Sequence, residues 1–208
     1  MKLLVVAATG FEIKPFIENN TSADVLITGI GIPATVFQLT KQLAQKEYDL
    51  VIQAGIAGTF NNALVAGSVA MVNTDTFGDI GIVEKGKFST LFETGLAHEN
   101  DFPFSNGWLV NEHDYFRHPF LFIAKGLTVN KIIDDEIQIS RTREKFGADI
   151  ESMEGAAFHY VCLQQKVKFL QLRSISNIVG ERDKTKWAIK DAITNLNIEL
   201  KKLVKNIR

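Results

Sequence analysis

The sequence predicts an α/β protein with a central mixed, twisted sheet flanked by helices. In the first half of the chain, short continuous apolar runs alternate with amphipathic stretches, which is the pattern of buried strands separated by helices. The C-terminal stretch repeats apolar residues at helical spacing, which predicts a long helix with one face on the sheet. With 208 residues, of which 46% are apolar, the chain is long enough to bury one core, so residues 1–208 are expected to form a single domain.

Six apolar runs are expected to be strands of this sheet. They cover residues 3–8, 24–28, 50–54, 69–73, 121–127 and 169–175. A helix is expected to begin at Pro33, because the N–H that proline lacks would be unpaired in a first helical turn anyway. The C-terminal helix is predicted from one apolar stripe, formed by Ile189, Ile193, Leu196, Leu200, Leu203 and Ile207.

Residues 76–118 differ from the rest of the chain. They are rich in Gly, Asn, Asp, His and Phe and show little periodicity. We expect them to form a long, partly irregular excursion from the sheet. Loops of this length in compact domains tend to carry function.

Composition excludes several classes of partner. Lys and Arg number 23 against 24 Asp and Glu, so there is no basic field to recruit nucleic acid or acidic lipid. No apolar window approaches the ~20 residues that span a bilayer, so a small-molecule partner is favoured over a membrane. The one cysteine, Cys162, excludes an intrachain disulfide and fits a cytoplasmic protein. The histidines show no metal-ligand spacing, so neither a metal nor another cofactor is expected. They are His98, His113, His118 and His159.

Two glycine clusters follow predicted strands. The first, residues 29–34, opens a helix as a dinucleotide-binding turn does, which would favour an NAD-dependent oxidoreductase. That fingerprint normally follows the first strand and here follows the second, so a tight turn that needs glycine is the simpler interpretation. The second cluster, residues 54–58, lies where α/β sheets bind ligands, at the carboxyl end of a strand, although a plain turn explains it equally.

Two carboxylates and one amide lie at predicted strand ends. Glu12 follows the first strand and is either a general base for water or an exposed helix-start residue. Glu154 follows Met153 at a strand-to-helix junction and either accepts hydrogen bonds from two sugar hydroxyls or simply begins the helix. Asn177 closes the segment that begins at Arg173. Its amide can read a base edge because it donates and accepts, or it can cap a turn.

Together these segments resemble the purine nucleoside phosphorylase and nucleosidase superfamily, especially its methylthioadenosine/S-adenosylhomocysteine nucleosidases and futalosine hydrolases. The order and spacing of the segments carry the resemblance: Glu12 after the first strand, then residues 28–31, 54–58, 152–154 and 173–177. The match spans residues 1 to about 180 and leaves chiefly the excursion unmatched. It implies a nucleoside phosphorylase-like fold.

The resemblance also implies roles for individual residues. Glu12 would position and deprotonate the attacking water, Glu154 would hold the ribose 2′ and 3′ hydroxyls, and Met153 would pack under the sugar. Asn177 would face the purine. The remaining substrate contacts implied by the match are Ile56, Ala57, Gly58, Arg173 and Ser176.

Two departures from the family pattern refine the expected reaction. Members that cleave 6-aminopurines have an Asp where this chain has Asn177, and an amide suits a 6-oxopurine instead. Phosphorylases of the superfamily hold phosphate with arginines from the first half of the chain, whereas the first arginine here is Arg117, and Ile56 replaces a hydroxyl residue. The expected reaction is hydrolysis of futalosine to hypoxanthine and dehypoxanthinyl futalosine, with methylthioadenosine/S-adenosylhomocysteine nucleosidase as the alternative.

Three further features bear on the substrate's far end and on assembly. The run 176–183 followed by Trp187 also looks like futalosine hydrolase, although Asp183 in it equally predicts a helix cap. The aromatic carboxylate tail of futalosine needs apolar faces and a cation, which the excursion can supply. The candidates are Phe102, Phe104, His113, Tyr115 and Arg117. In the resembling nucleosidases a neighbouring subunit closes this end of the pocket, so a homodimer or larger homo-oligomer is expected.

Overall fold

The computed structural model describes residues 1–19, 22–113 and 121–207, and within them all six predicted strands and both predicted helices are present. The first half contains β1 (Leu3–Ala7), α1 (Lys14–Ile17), β2 (Asp24–Ile27), α2 (Ile32–Gln45), β3 (Leu50–Thr59), β4 (Val69–Asp75), β5 (Gly81–Glu84) and β6 (Lys87–Thr90). The second half contains β7 (Leu109–Val110), β8 (Phe122–Thr128), α3 (Glu136–Phe146), β9 (Ile150–Ser152), α4 (Gly155–Gln164), β10 (Phe169–Ile178) and α5 (Ile189–Asn206).

The main sheet is mixed, as predicted, but it also closes on itself. β3 pairs in parallel with β1 and with β10, and its last residues pair antiparallel with β9. From β10 the pairing continues through β4 and β8 back to β9, so five strands form a ring, while β1 and β2 extend from β3 as a wing. The sequence did not predict the closure, because β9 is three residues long and two of them, Glu151 and Ser152, are polar.

Helices cover both faces of the sheet at β1, β2 and the first half of β3. Side chains alternate between the two faces along each strand, so both faces carry apolar residues that need cover. Val5 and Ile52 point toward α5 and pack with its Leu196 and Leu200. The intervening strand residues point the other way, against α2 and α4. This second cluster contains Leu4, Val6, Val51, Leu39, Phe158 and Cys162. The α/β class predicted from the sequence is therefore confirmed.

The described part of the excursion, residues 76–113, contains a hairpin that the sequence did not predict. Its strands, β5 and β6, pair only with each other. The hairpin contacts α3, where Arg141 donates to the carbonyl of Gly86. Further along the chain, β7 pairs antiparallel with the last two residues of β4. Residues 114–118 of the predicted excursion lie outside the described residues.

Two predicted strand ends were wrong in the same way. β3 was expected to stop at Ala54 and give way to a glycine loop, but it continues through Gly55 and Gly58 to Thr59. β10 likewise continues past residue 175 to Ile178. Each strand supplies the other's hydrogen-bond partners over this length, so the glycines stay extended. None of the described helices combines the length and the apolar character that a bilayer crossing requires.

Candidate active site

The glycine turn between β2 and α2 binds a carboxylate of the chain itself. Gly29 and Gly31 have φ values of 87° and 91°, a region that residues with a side chain rarely adopt, so the turn needs glycine. The Gly31 N–H donates to Oε1 of Glu154 at 2.9 Å. The position that a dinucleotide-binding turn would offer to a pyrophosphate is therefore directed at Glu154, which contradicts the oxidoreductase interpretation.

Glu12 is buried rather than exposed at a helix start, with 7% of its surface accessible. Its Oε1 accepts the Ile56 N–H at 3.1 Å, and its Oε2 accepts the N–H and the hydroxyl of Thr9 at 3.0 and 2.9 Å. Three donors thus fix the plane of the carboxylate. One lone pair of Oε1 remains for a water or a substrate hydroxyl.

Asn197, on the buried face of α5, holds the segment that carries Glu12. Its Nδ2 donates to the Glu12 carbonyl at 2.8 Å, and its Oδ1 accepts the Phe16 N–H at 2.9 Å. The sequence analysis missed this residue, because the pattern of α5 was interpreted only through its apolar positions. A buried Asn in an otherwise apolar stripe was the available signal.

Arg173 lies between the two acidic side chains. Its Nη2 donates to Oε1 of Gln53 at 2.9 Å, and its Nη1 is 3.8 Å from Oε2 of Glu154. A Cβ added to Gly55 would collide with the guanidinium and would come within 3.0 Å of Oε1 of Glu12. Gly55 therefore leaves a slot in β3 in which the arginine and both carboxylates meet.

The electrostatics of Glu154 follow from this arrangement. Burial raises the pKa of its carboxyl above the ordinary value, and the charge of Glu12 raises it further. The guanidinium of Arg173 and the Gly31 N–H act in the opposite direction. The site thus holds two neighbouring carboxylates around one cation, which suits the stabilisation of positive charge.

Asn177 lies beside Gly58 in the pairing of β10 with β3, next to a bulge that skips Ser176. Ser176 is buried, and its hydroxyl donates to Oδ1 of Asn177 at 2.7 Å. Nδ2 of Asn177 donates to the Ile178 carbonyl at 2.8 Å. One amide hydrogen and one oxygen lone pair remain available, so the amide has a fixed orientation and can still form two hydrogen bonds.

The structure brings the predicted site residues to one end of the sheet. Glu12, Ile56, Arg173 and Glu154 are joined by direct contacts, and Gly58 beside Asn177 lies two positions beyond Ile56 on β3. Met153 precedes Glu154 and is partly exposed, whereas Ala57 is buried in the ring and packs with Ile175. Of the described residues, no group of three His, Cys, Asp or Glu could hold a metal ion.

The residues considered for the substrate's tail are only partly described. Phe104 lies in a cluster of rings with Phe77, Phe92 and Tyr160, beside a cavity of about 460 Å³. Phe102 is exposed. Tyr115 and Arg117 lie outside the described residues. Asp183, by contrast, caps a 3-10 turn by accepting the Thr185 N–H, as its sequence position predicted.

Comparison with known proteins agrees with the resemblance found in the sequence. Residues 16–207 match the family described as the phosphorylase superfamily. The chain is 30% identical over 182 residues to a futalosine hydrolase of Thermus thermophilus, which covers 86% of this chain and 80% of that protein. It is 32% identical over 165 residues to a 5′-methylthioadenosine/S-adenosylhomocysteine nucleosidase of Tolumonas auensis, covering 76% and 70%.

Solved structures agree on the fold. The native futalosine hydrolase of Helicobacter pylori superposes with a TM-score of 0.80 at 18% identity, covering 99% of this chain and 98% of that one. A Neisseria meningitidis 5′-methylthioadenosine/S-adenosylhomocysteine nucleosidase in complex with methylthio-immucillin-A gives 0.81 at 16%, covering 99% of each chain. With a family match over nearly its whole length and a shared fold, the chain belongs to the phosphorylase superfamily.

Proposed function

We propose that this protein is an N-glycosidase that hydrolyses futalosine to hypoxanthine and dehypoxanthinyl futalosine, a step of menaquinone biosynthesis. The observation that carries the proposal is the convergence of Glu12 and Glu154 on Arg173, with the amide of Asn177 at the same end of the sheet. Futalosine hydrolases are among the relatives that match most of the chain.

Glu12 acts as the base that activates water. Donors from Ile56 and Thr9 fix its carboxylate, so its remaining lone pair, on Oε1, points in a defined direction. A general base needs hydrogen-bond reach to the proton that it removes, and a fixed carboxylate supplies that reach without reorganisation.

Glu154 holds the sugar. Its Oε1 accepts the Gly31 N–H, and its Oε2 lies near Arg173, so the carboxylate presents both oxygens in a fixed plane to the 2′ and 3′ hydroxyls. Cleavage of the glycosidic bond develops positive charge on the ribose. Two acidic side chains beside the ring stabilise that charge, and partly exposed Met153 offers an apolar surface under the sugar.

Asn177 selects the base. Its free amide hydrogen can donate to a 6-oxo group, and its remaining lone pair can accept from N7–H once the leaving purine is protonated there. A 6-amino group at the same place would point its N–H at the free N–H of the Asn177 amide, so neither donor would have an acceptor. An unsatisfied pair of this kind in a closed site costs about 1–3 kcal/mol, which is one to two powers of ten in preference.

Water rather than phosphate is the nucleophile. A phosphate dianion would enter a site that already holds two carboxylates and one guanidinium. Arg173 is fully buried and committed to Gln53 and Glu154, so it does not present a free fork to phosphate.

A methylthioadenosine/S-adenosylhomocysteine nucleosidase activity is the second candidate. The relative from Tolumonas auensis with that name is slightly more identical to this chain than the futalosine hydrolases, over a shorter region. That activity releases adenine, a 6-aminopurine, for which Asn177 is the wrong partner. The amide therefore favours futalosine.

Base release measured by chromatography tests both candidates. Purified protein is incubated with futalosine or with methylthioadenosine, each with and without phosphate. The proposal expects hypoxanthine from futalosine without phosphate. Hypoxanthine only in the presence of phosphate would identify a phosphorylase, and faster release of adenine than of hypoxanthine would identify the second candidate.

We further propose that the protein is a single-domain cytoplasmic enzyme that works as a homodimer or larger homo-oligomer. Apolar side chains of Phe11, Ile30 and Phe37 are more than half exposed, two of them next to Glu12 and Gly31. A second copy that covers them would close the end of the pocket where the 5′ tail leaves the ribose. Light scattering during gel filtration tests the oligomeric state. The buried free thiol of Cys162 supports a reducing compartment.

A further inference from the structure

One buried carboxyl group at this end of the sheet has no partner among the described residues. Glu151 lies in β9, and only 8% of its surface is accessible. The pKa of its carboxyl responds to burial and to the charge of Asp79, and no hydrogen-bond donor or cation of the described residues offsets them. Buried polar groups nearly always have a hydrogen-bond partner, so a bound molecule is the expected source of the missing donor.

Glu151 and Asn177 lie on the same face of the ring, on either side of Gly58. In the strand pairing, Gly58 of β3 is opposite Glu151 of β9 and also opposite Asn177 of β10. Residues directly opposite each other in paired strands point to the same face of a sheet. A Cβ built on Gly58 would lie 3.5 Å from Nδ2 of Asn177, so the amide does lie on the face of this glycine.

Gly58 leaves a gap between these two polar side chains. Neighbouring strands lie about 4.8 Å apart, so the backbones of Glu151 and Asn177 are roughly 10 Å apart, with only a glycine between them. Gly58 and Asn177 are partly exposed, so a ligand can reach the gap. Leu127, opposite Glu151 in β8, and Val179, beside Gly58, belong to one hydrophobic cluster and give the gap apolar walls. Such a gap suits a flat heterocycle with hydrogen-bonding groups along its edge.

The charge next to Glu151 restricts what the missing partner can be. Asp79 is exposed, and its Oδ2 accepts the N–H groups of Asn130 and Lys131 at 2.6 and 3.2 Å. Its negative charge acts on Glu151, so an anionic ligand would meet two acidic groups here. An ionised carboxylate accepts hydrogen bonds and donates none. The fitting partner is therefore a neutral group with an N–H to donate.

We propose that Glu151 is a specificity-determining residue that accepts the N1–H of a 6-oxopurine. On the edge of such a base the 6-oxo group lies between N7 and N1–H. With Asn177 at the oxo group and at N7, the N1–H faces the other side of the gap, where Glu151 lies. Adenine has no hydrogen on N1, so its lone pair would face the carboxylate. The inference rests on the proposed function and adds a second contact to its choice of base.

Binding of the base through this contact should release a proton. Burial and the charge of Asp79 raise the pKa of Glu151 to about 7 in the free protein. A donated N–H stabilises the carboxylate and lowers that pKa, so molecules that hold a proton before binding lose it. At pH 7 about half a proton should therefore leave per bound base, and at pH 8 a smaller fraction.

Titration calorimetry with free bases tests the contact without any catalysis. Wild-type protein is titrated with hypoxanthine and with 1-methylhypoxanthine, in which a methyl group replaces the N1 hydrogen. Hypoxanthine should bind roughly ten- to a hundredfold more tightly, as expected of a hydrogen bond to a charged group. Repeating the titrations at pH 7 in buffers of different ionisation enthalpy measures the proton release, which distinguishes a hydrogen bond at N1 from crowding by the methyl group.

Two variants of matched size separate the acceptor from the fold. Glu151→Gln keeps a carbonyl acceptor, so it should bind hypoxanthine within about tenfold of the wild type but without the proton release. Glu151→Met lacks that acceptor and should lose roughly ten- to a hundredfold in affinity. Hypoxanthine binding with equal affinity and equal proton release in all three proteins would overturn this inference alone. Binding of adenine but not of hypoxanthine would overturn the proposed function as well. If Glu151→Met does not fold, the comparison of Glu151→Gln with the wild type decides.

Discussion

Replacing Asn197 with Ala should lower the activity that depends on Glu12 more than it lowers the stability of the fold. The Phe16 N–H keeps a second acceptor, the Ile13 carbonyl at 3.0 Å, so the group left unpaired is the buried Glu12 carbonyl. One unsatisfied buried acceptor costs about 1–3 kcal/mol. At the middle of that range, about 2 kcal/mol, a chain of this size should show a Tm lower by roughly 4–8 °C, measured by differential scanning calorimetry.

Activity should fall further than this stability loss explains. A domain with an ordinary reserve of stability remains almost wholly folded after losing about 2 kcal/mol, so a lower kcat must come from a displaced Glu12. Asn195→Ala is the control, because Asn195 lies on the same helix and donates to the Gly67 carbonyl at 2.9 Å, away from Glu12. Equal specific activity of the two variants at 25 °C would refute the idea that Asn197 positions the base.

Three other outcomes follow from the site and its surroundings. Glu12→Gln should lower kcat by about 10²–10⁴-fold, while a non-hydrolysable nucleoside analogue still binds in calorimetry; unchanged turnover would remove Glu12 from the mechanism. Asn177→Asp should move the preference toward 6-aminopurine nucleosides by about one to two powers of ten, read from base release with both substrates. Burial raises the pKa of Glu151 to about 7, so its protonated form stabilises the fold fully below its ordinary pKa and this contribution is lost as the pH rises through about 7. Urea unfolding of wild type and Glu151→Gln between pH 4 and pH 8 checks this, and parallel curves would contradict it.

The sequence predicted the layers of the fold well, because buried strands and amphipathic helices leave direct patterns. It failed where neighbours rather than local sequence decide. β3 continues through its glycines because β10 pairs with it along the whole length, and Gly55 is required by the space that Arg173 fills. The three-residue β9 carries too little pattern to reveal that the sheet closes.

The candidate site was predicted in the same uneven way. Glu12 and Glu154 could be proposed from their places after strands, and the structure brings both to Arg173. The support of Glu12, Asn197, could not be assigned, since it acts through a contact between segments far apart in the chain. A polar residue in an apolar pattern signals such a support but does not identify its partner.

The closed ring of strands has a consequence for fragments of this protein. Residue 12 comes from the first strand's end, residue 58 from the third strand, and residues 154 and 177 from beyond the point where β9 completes the circle. No contiguous half of the polypeptide holds all of these groups. Catalytic activity should therefore require the entire chain. If the chain is divided anywhere between residues 60 and 150, each fragment alone should be inactive, and activity should return only when both fragments are mixed.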